Sequence, residues 1–149
     1  MLLYLDTSVF GGYFEPEFEE WTVPLFHQLE QGKHQLLFSD IAENELLRAP
    51  ERVQLLASTA IAKRTTRVEA DQEALDLANL YLKEKVVGRT SFADCMHIAL
   101  ATLHDADVLV SWNFKHIVNV ERIRGYNTIN KRLRYRTLDI RSPREIVGL

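Results

Sequence analysis

The chain has 149 residues, of which 46% are hydrophobic and 26% charged, and its formal net charge is -3. This length and composition suit one soluble globular domain with a single core. They exclude a membrane-spanning helix, because no apolar run approaches the roughly 18 residues that a span requires. The only cysteine is Cys95, which excludes a disulfide framework and a cysteine zinc site. A reducing cytoplasm is therefore the expected location.

The first residues predict a buried strand. Residues 2–5 are all apolar, as in a strand covered on both faces. They lack the preceding basic residues of a signal peptide. Asp6 follows directly, and Gly11, Gly12 and Pro16 then predict a loop or a broken helical turn.

Strands and helices alternate along the rest of the chain. Further strands are predicted at residues 35–38, 107–111 and, at a sheet edge, 138–140, and no clear strand is predicted at Val68. Helices are predicted at about residues 19–31, from 39 onward, at 50–62, 71–85, 92–104 and 121–134, and from 143 onward, with a short helix or turn at 113–118. This alternation is typical of an α/β protein with a parallel sheet. No repeat or linker divides the chain, so residues 1–149 are expected to form one domain.

Three carboxylates stand near predicted strand ends, where binding sites form in open α/β sheets. Asp6 ends the first strand, Glu45 lies in the helix after the second, and Asp94 lies in the first turn of the helix before the third. Clustered carboxylates repel one another unless a cation neutralises them, and oxygen ligands favour Mg²⁺ or Mn²⁺. Two such ions can activate a water and stabilise the leaving oxygen of a phosphodiester, which indicates phosphoryl hydrolysis.

Each of these residues also has a structural interpretation. Asp6 is placed to cap the next helix, residues 91–94 match a capping box, and Glu45 is a helical residue of the kind that is usually solvated. We interpret His97 as a structural or surface histidine, because spacing reveals no third zinc ligand. Cys95 is interpreted as a small core residue.

Four sequence blocks together resemble those of the PIN domain family. They are LYLDTS at residues 3–8, SDIAENEL at 39–46, ADCMHIA at 93–99 and DVLVSWNF at 107–114. The resemblance implies a three-layer α/β/α sandwich with a central parallel sheet. It also implies a magnesium-dependent endoribonuclease that cleaves single-stranded or structured RNA, with metal-binding acids at Asp6, Glu45 and Asp94. Ser8 is then a polar neighbour that holds Asp6 or a metal-bound water.

One position departs from the family pattern. The fourth block usually supplies an aspartate near Asn113, whose amide offers a carbonyl oxygen but no charge. Asn113 therefore joins Asp6, Glu45 and Asp94 as an expected catalytic residue, but three formal negative charges instead of four predict a weak second metal site. Small PIN proteins of this size are often VapC-type toxins that a cognate antitoxin inhibits, and they often form dimers. An antitoxin and a second copy of the chain are therefore expected partners.

RNA binding is expected from a basic segment near the end of the chain. Eight of the 18 Lys and Arg residues follow residue 120, compared with three of the 21 Asp and Glu residues. Arginine suits phosphate because its planar fork donates two parallel hydrogen bonds. We predict phosphate contacts at Lys131, Arg132 and Arg134, with Arg89 and Lys115 marking the alternative RNA path.

Two other functions remain open from the sequence. Haloacid-dehalogenase-like phosphatases also begin with an aspartate after strand one, but they use an Asp-x-Asp pair, and Ser8 stands at its second position. The other is a PIN fold that binds RNA or protein without cutting, which the neutral Asn113 keeps open.

Overall fold

A sheet of five parallel strands forms the centre of the protein, seen in a computed structural model that describes residues 1–84, 86 and 92–149. The strands are β1 (Leu2–Leu5), β2 (Gln35–Ser39), β3 (Thr65–Val68), β4 (Val108–Val110) and β5 (Asp139–Arg141). Their order across the sheet is β3-β2-β1-β4-β5. The chain builds one side of the sheet first and then crosses to the other, so the strand order reverses between β1 and β4.

Helices connect the strands and cover both faces of the sheet. Within the described residues they are α1 (Thr7–Gly12), α2 (Glu19–Glu30), α3 (Asp40–Leu46), α4 (Glu51–Ile61), α5 (Gln72–Lys83), α6 (Phe92–Leu103), α7 (Val120–Arg132) and α8 (Pro143–Val147). None of these helices is long and apolar enough to cross a membrane.

Alternating side chains of the strands supply two cores, one on each face of the sheet. Leu3 and Leu5 of β1 pack with residues of α1, α2, α3, α4 and α8. Tyr4, which points the other way, packs with residues of α5, α6 and α7. The predicted three-layer α/β/α sandwich with a central parallel sheet is therefore confirmed.

The edge strand β3 lies where the sequence predicts no strand. Thr66 and Arg67 are exposed, so Thr65–Val68 lacks the apolar alternation that marks a half-buried strand. Its pairing with β2, in which Leu36 is the partner of Thr65, supplies the stabilising contacts. Such a long-range contact leaves no local signal in the sequence.

Helix α1 lies where two glycines predict a loop or a broken turn. Gly12, at the end of this helix, is buried. A larger residue does not fit there, because a Cβ atom would lie only 2.7 Å from Nε1 of Trp112. That indole nitrogen donates a hydrogen bond to Oγ1 of Thr22, at 2.9 Å, in α2. The glycine is therefore explained by the close approach of an aromatic ring.

Candidate active site

A cleft of about 400 Å³ opens at the carboxyl ends of the strands, near the point where the strand order reverses. The backbone N–H of Asp6 donates to the carbonyl of Val110, at 2.9 Å, which ties the end of β1 to the end of β4. Polar residues that line the cleft are Asp6, Thr7, Ser8, Glu45, Arg48, Asp94 and Asn113. All four residues expected to be catalytic, and the adjacent Ser8, thus lie around one cavity.

Asp6 is a buried carboxylate held by hydroxyl groups. Its side chain is not hydrogen-bonded as a cap of α1, although the residue occupies the N-cap position. Instead, Oδ2 accepts hydrogen bonds from Ser8 Oγ at 2.7 Å and from Ser111 Oγ at 2.8 Å. Ser8 Oγ also accepts a hydrogen bond from the backbone N–H of Trp112 at 3.0 Å, and Ser111 Oγ accepts one from that of Asn113 at 2.9 Å. The loop after β4 therefore holds the end of β1. The geometry therefore disfavours the capping interpretation of Asp6.

Glu45 reaches the cleft from α3. Ser39 at the end of β2 caps this helix by accepting a hydrogen bond from the N–H of Ala42 at 3.1 Å. The Glu45 side chain is 36% exposed, and its Oε1 accepts a hydrogen bond from Nε2 of His97. This carboxylate is therefore oriented by a partner and not simply solvated.

Asp94 and Asn113 meet on the other side of the cleft. The amide of Asn113 donates from Nδ2 to Asp94 Oδ2 at 3.5 Å. Its carbonyl oxygen accepts the N–H groups of Lys115 and His116, at 3.2 and 3.0 Å. The oxygen expected to face a metal thus closes the local turn. Residue 91, at which the predicted capping box with Asp94 begins, lies outside the described residues.

His97 is a site residue that the sequence interpretation missed. Its side chain is completely buried, and Nε2 also lies 3.8 Å from Oδ1 of Asp6. Burial lowers the pKa of His97, but the hydrogen bond to Glu45 and the charges of Asp6, Glu45 and Asp94 outweigh it, so the pKa is raised overall. The only local signal is its spacing, one helical turn after Asp94.

Cys95 fits the interpretation as a core residue. The side chain is completely buried among the residues of α5, α6 and α7. Burial, with a smaller effect from the charge of Asp94, raises the pKa of its thiol to about 12. A thiol in this state is a poor nucleophile.

The cationic residues lie in different places relative to the cleft. Arg48, which the sequence interpretation missed, lines it, and the exposed Lys115 follows the cleft residue Asn113. Arg89 lies outside the described residues.

The three basic residues expected to hold RNA phosphates lie away from the cleft. α7 follows the carboxyl end of β4 and precedes the amino end of β5. Because β4 and β5 are parallel, the last turn of α7 must lie near the amino ends of the strands, opposite the cleft. Arg132 there pairs with Glu84, and the nearby Arg136 lies 4.0 Å from Asp105, just before β4. This placement argues against phosphate contacts by Lys131, Arg132 and Arg134 at the cleft, so their role remains a prediction.

The donor set suits a hard divalent cation. Three carboxylates line one cleft, and magnesium and manganese prefer such oxygen ligands. No group of three or more His, Cys, Asp or Glu side chains in the described part of the chain is already close enough to hold a metal. The side chains therefore fit such a cation by their chemistry.

A parallel α/β sandwich with a carboxylate-lined cleft at the switch point of its sheet defines the structural class. The family model described as the PIN domain matches residues 3–119, which is most of the chain. The chain belongs to the PIN domain family.

Solved structures share this fold at low sequence identity. A chain in the crystal structure of VapBC2 from Rickettsia felis, bound to a DNA fragment from their promoter, gives a TM-score of 0.58 at 15% identity, covering 95% of this chain and 98% of that one. The structure of FitAcB from Neisseria gonorrhoeae gives a TM-score of 0.56 at 15% identity, covering 96% and 98%. At such identity the likeness establishes the fold alone. No curated protein matches the chain significantly.

Proposed function

We propose that this protein is an endoribonuclease that binds Mg²⁺ or Mn²⁺ through Asp6, Glu45 and Asp94 and hydrolyses the phosphodiester bonds of RNA. The observation that carries the proposal is the arrangement of these three carboxylates, from distant parts of the chain, around one open cleft. Membership of the PIN family, whose domains are generally nucleases, supports it.

The residues around the cleft divide the work of such a reaction. When bound, a divalent cation supplies positive charge at the attacking and leaving oxygens of the phosphodiester. Asp6, kept in place by two serine hydroxyls, and Glu45, kept in place by His97, provide oriented oxygen ligands. Asp94 completes the set from the first turn of α6. Arg48 at the cleft is placed to attract the polyanionic substrate.

A protein partner belongs to the same proposal. The two solved structures above come from toxin–antitoxin complexes, which supports an antitoxin for this chain. We propose that a small protein encoded beside this one inhibits its RNA cleavage, and that the chain also forms homodimers. Co-expression of the two genes followed by a cleavage assay tests inhibition, and light scattering of the isolated protein tests the homodimer.

The central test is cleavage by the wild type and by Asp6→Asn and Asp94→Asn. Single-stranded RNA, single-stranded DNA and a phosphate monoester are each incubated with Mg²⁺, with Mn²⁺ and with a chelator. We expect metal-dependent cleavage of RNA by the wild type only, because either variant removes one of the three charges that hold the cation. Circular dichroism should show that both variants keep the fold.

Asp107→Asn is the matched control for the loss of one carboxylate. Asp107 lies at the opposite end of β4, where its Oδ2 accepts the N–H of Leu2 at 2.7 Å. This variant should retain cleavage. If Asp6→Asn and Asp94→Asn cut RNA at the wild-type rate, the assignment is wrong. If the folded wild type binds RNA but cuts none of the substrates with either metal, the protein is a non-catalytic PIN module, as the neutral Asn113 allows. Hydrolysis of the monoester alone supports a phosphatase.

A further inference from the structure

Buried hydrogen bonds connect the floor of the cleft with the middle of the sheet. The hydroxyl of Tyr4 in β1 lies 2.7 Å from Ser39 Oγ and 2.5 Å from Nδ1 of His97. The other ring nitrogen of His97 bonds Glu45 and lies 3.8 Å from Asp6 Oδ1. One set of contacts therefore joins β1, the end of β2, α3 and α6 at two of the carboxylates.

Tyr4 acts on Glu45 from two directions. Its hydroxyl contacts Ser39, which caps α3, the helix on which Glu45 lies. Through His97 it contacts the carboxylate itself. Tyr4 and His97 are both completely buried. Buried polar groups are costly unless they are bonded, so the hydrogen bonds hold both side chains in one arrangement.

Each of the two carboxylates uses one oxygen for its hydrogen bonds, and the Asp6 oxygen that lies 3.8 Å from His97 is the other one. Glu45 bonds His97 through Oε1, and Asp6 accepts the two serine hydroxyls through Oδ2. Within the described residues, the second oxygen of each carboxylate forms no hydrogen bond. A carboxylate fixed through one oxygen presents the other in a defined direction, as metal-ligating carboxylates commonly do.

We propose that Tyr4 and His97 are positioning residues, which hold Glu45, beside Asp6, in the orientation that binds a divalent cation. Neither residue contacts the cation or the RNA. The inference rests on the proposed metal-dependent function and adds two residues to its site, beneath the carboxylates. It requires that loss of the Tyr4 hydroxyl change the binding of metal, and not only the stability of the fold.

Tyr4→Phe removes the hydroxyl and leaves the aromatic ring in the core. We expect the Kd for Mn²⁺, measured by isothermal titration calorimetry, to rise by about tenfold or more, because partners behind a ligand typically contribute 10- to 100-fold to metal affinity. RNA cleavage should shift to higher Mn²⁺ concentration and recover toward the wild-type rate at saturating Mn²⁺. His97→Gln, a second variant at the same contact, should also raise the Kd.

Tyr81→Phe is the matched control. Tyr81 is also completely buried, and its hydroxyl donates to Asn130 Oδ1, between α5 and α7. The variant removes a buried hydroxyl that donates a hydrogen bond, as Tyr4→Phe removes one with two partners, so its Tm should fall. Its Kd for Mn²⁺ should equal that of the wild type.

The outcomes separate this inference from the proposed function. An unchanged Kd for Mn²⁺ in Tyr4→Phe and His97→Gln, with a decrease in Tm like that of Tyr81→Phe, would show a purely structural role. Tighter binding would also overturn the inference, because His97 would then withdraw Glu45 from the cation. If the wild type binds Mn²⁺ but cuts no RNA, the proposed function fails while the Kd values still decide the positioning role. If the wild type binds no Mn²⁺, both fail. Should Tyr4→Phe not fold, His97→Gln decides.

Discussion

Asn113 occupies the position where the PIN pattern usually has an aspartate, and its two polar atoms have different partners. Oδ1 accepts two backbone N–H groups of the following turn, and Nδ2 faces Oδ2 of Asp94. A carboxylate would keep the first role, because both of its oxygens accept hydrogen bonds. It would reverse the second, because two carboxylates would then face each other. The local turn therefore tolerates aspartate, while the charge of the cleft changes.

Asn113→Asp should bind the cation more tightly and be less stable without it. The added negative charge attracts a divalent ion but repels Asp94 when no ion is present. The Mg²⁺ concentration for half-maximal RNA cleavage should fall several-fold, and the Tm measured in chelator should decrease. Titration of cleavage against Mg²⁺ and thermal unfolding with and without chelator measure the two effects.

Asn119→Asp provides the control for that substitution. Asn119 also accepts two backbone N–H groups, at 3.1 and 3.2 Å, as the N-cap of α7. An added charge at this position should leave the Mg²⁺ dependence unchanged. If Asn113→Asp also leaves it unchanged, the side chain at position 113 does not act on the metal.

The residues of the site differ in how far the sequence predicts them. Asp6 follows the end of β1, Asp94 lies in the first turn of α6 and Glu45 lies near the end of α3, and the family resemblance selects them from the other acids. His97 was missed as a site residue because its partners come from β1 and α3, and spacing along α6 contains no information about them. Arg48 was missed for a similar reason, because only the fold brings the turn after α3 to the rim of the cleft.

At the level of elements, α1 connects the packing of the core with the site. Asp6 precedes this helix, and Gly12 at its end packs against the indole of Trp112. Trp112 lies between Ser111, which donates to Asp6, and Asn113. Helix α1 therefore packs against the loop after β4, which holds the carboxylate of Asp6 through Ser111.

Gly12→Ala should destabilise the protein by about 1–3 kcal/mol, a typical effect of adding a methyl group to a filled core. The new Cβ would lie 2.7 Å from Nε1 and 2.8 Å from Cδ1 of Trp112, and 3.2 Å from Thr22 Oγ1. Urea unfolding followed by tryptophan fluorescence measures the change.

Gly11→Ala is the control in the same helix, because its Cβ would meet only Glu15 Oε1, at 3.5 Å. Since alanine favours helix over glycine by about 1 kcal/mol, that variant should match or exceed the wild type. Equal destabilisation in both variants would contradict the packing argument.

The helices and strands differ in how strongly the local sequence predicts them. β1 and β4 are continuous apolar runs, β2 contains one at residues 36–38, and α6 carries apolar side chains at helical spacing, so these elements have strong local patterns. α1 and β3 do not, because Gly12 is set by a tertiary contact and β3 is an exposed edge strand. Elements stabilised mainly by their neighbours are the ones that local patterns miss.

For the molecule as a whole, charge is separated between the carboxyl ends and the amino ends of the parallel strands. Carboxylates surround the cleft at the carboxyl ends, together with Arg48. The basic segment around Arg132 and Arg134 lies near the amino ends, and Arg132 is already paired with Glu84. Within the described residues, neither Arg48 nor Lys115 forms an ion pair with a carboxylate. The count of basic residues in the sequence thus identifies a charged segment, but only the topology shows on which side of the sheet it lies.

RNA binding should therefore depend more on two cations near the cleft than on three near the amino ends of the strands. Arg48→Ala combined with Lys115→Ala, in the inactive Asp6→Asn background, should weaken binding of single-stranded RNA. It should also reduce the slope of log K against log salt by about 0.7 for each phosphate that the protein no longer neutralises. Filter binding across a range of salt concentrations gives both quantities. The comparison is the triple alanine variant of Lys131, Arg132 and Arg134, which removes more charge and should change the slope less. A larger effect of the triple variant would show that RNA contacts the side of the protein at the amino ends of the strands. The RNA would then reach the cleft around the outside of α7.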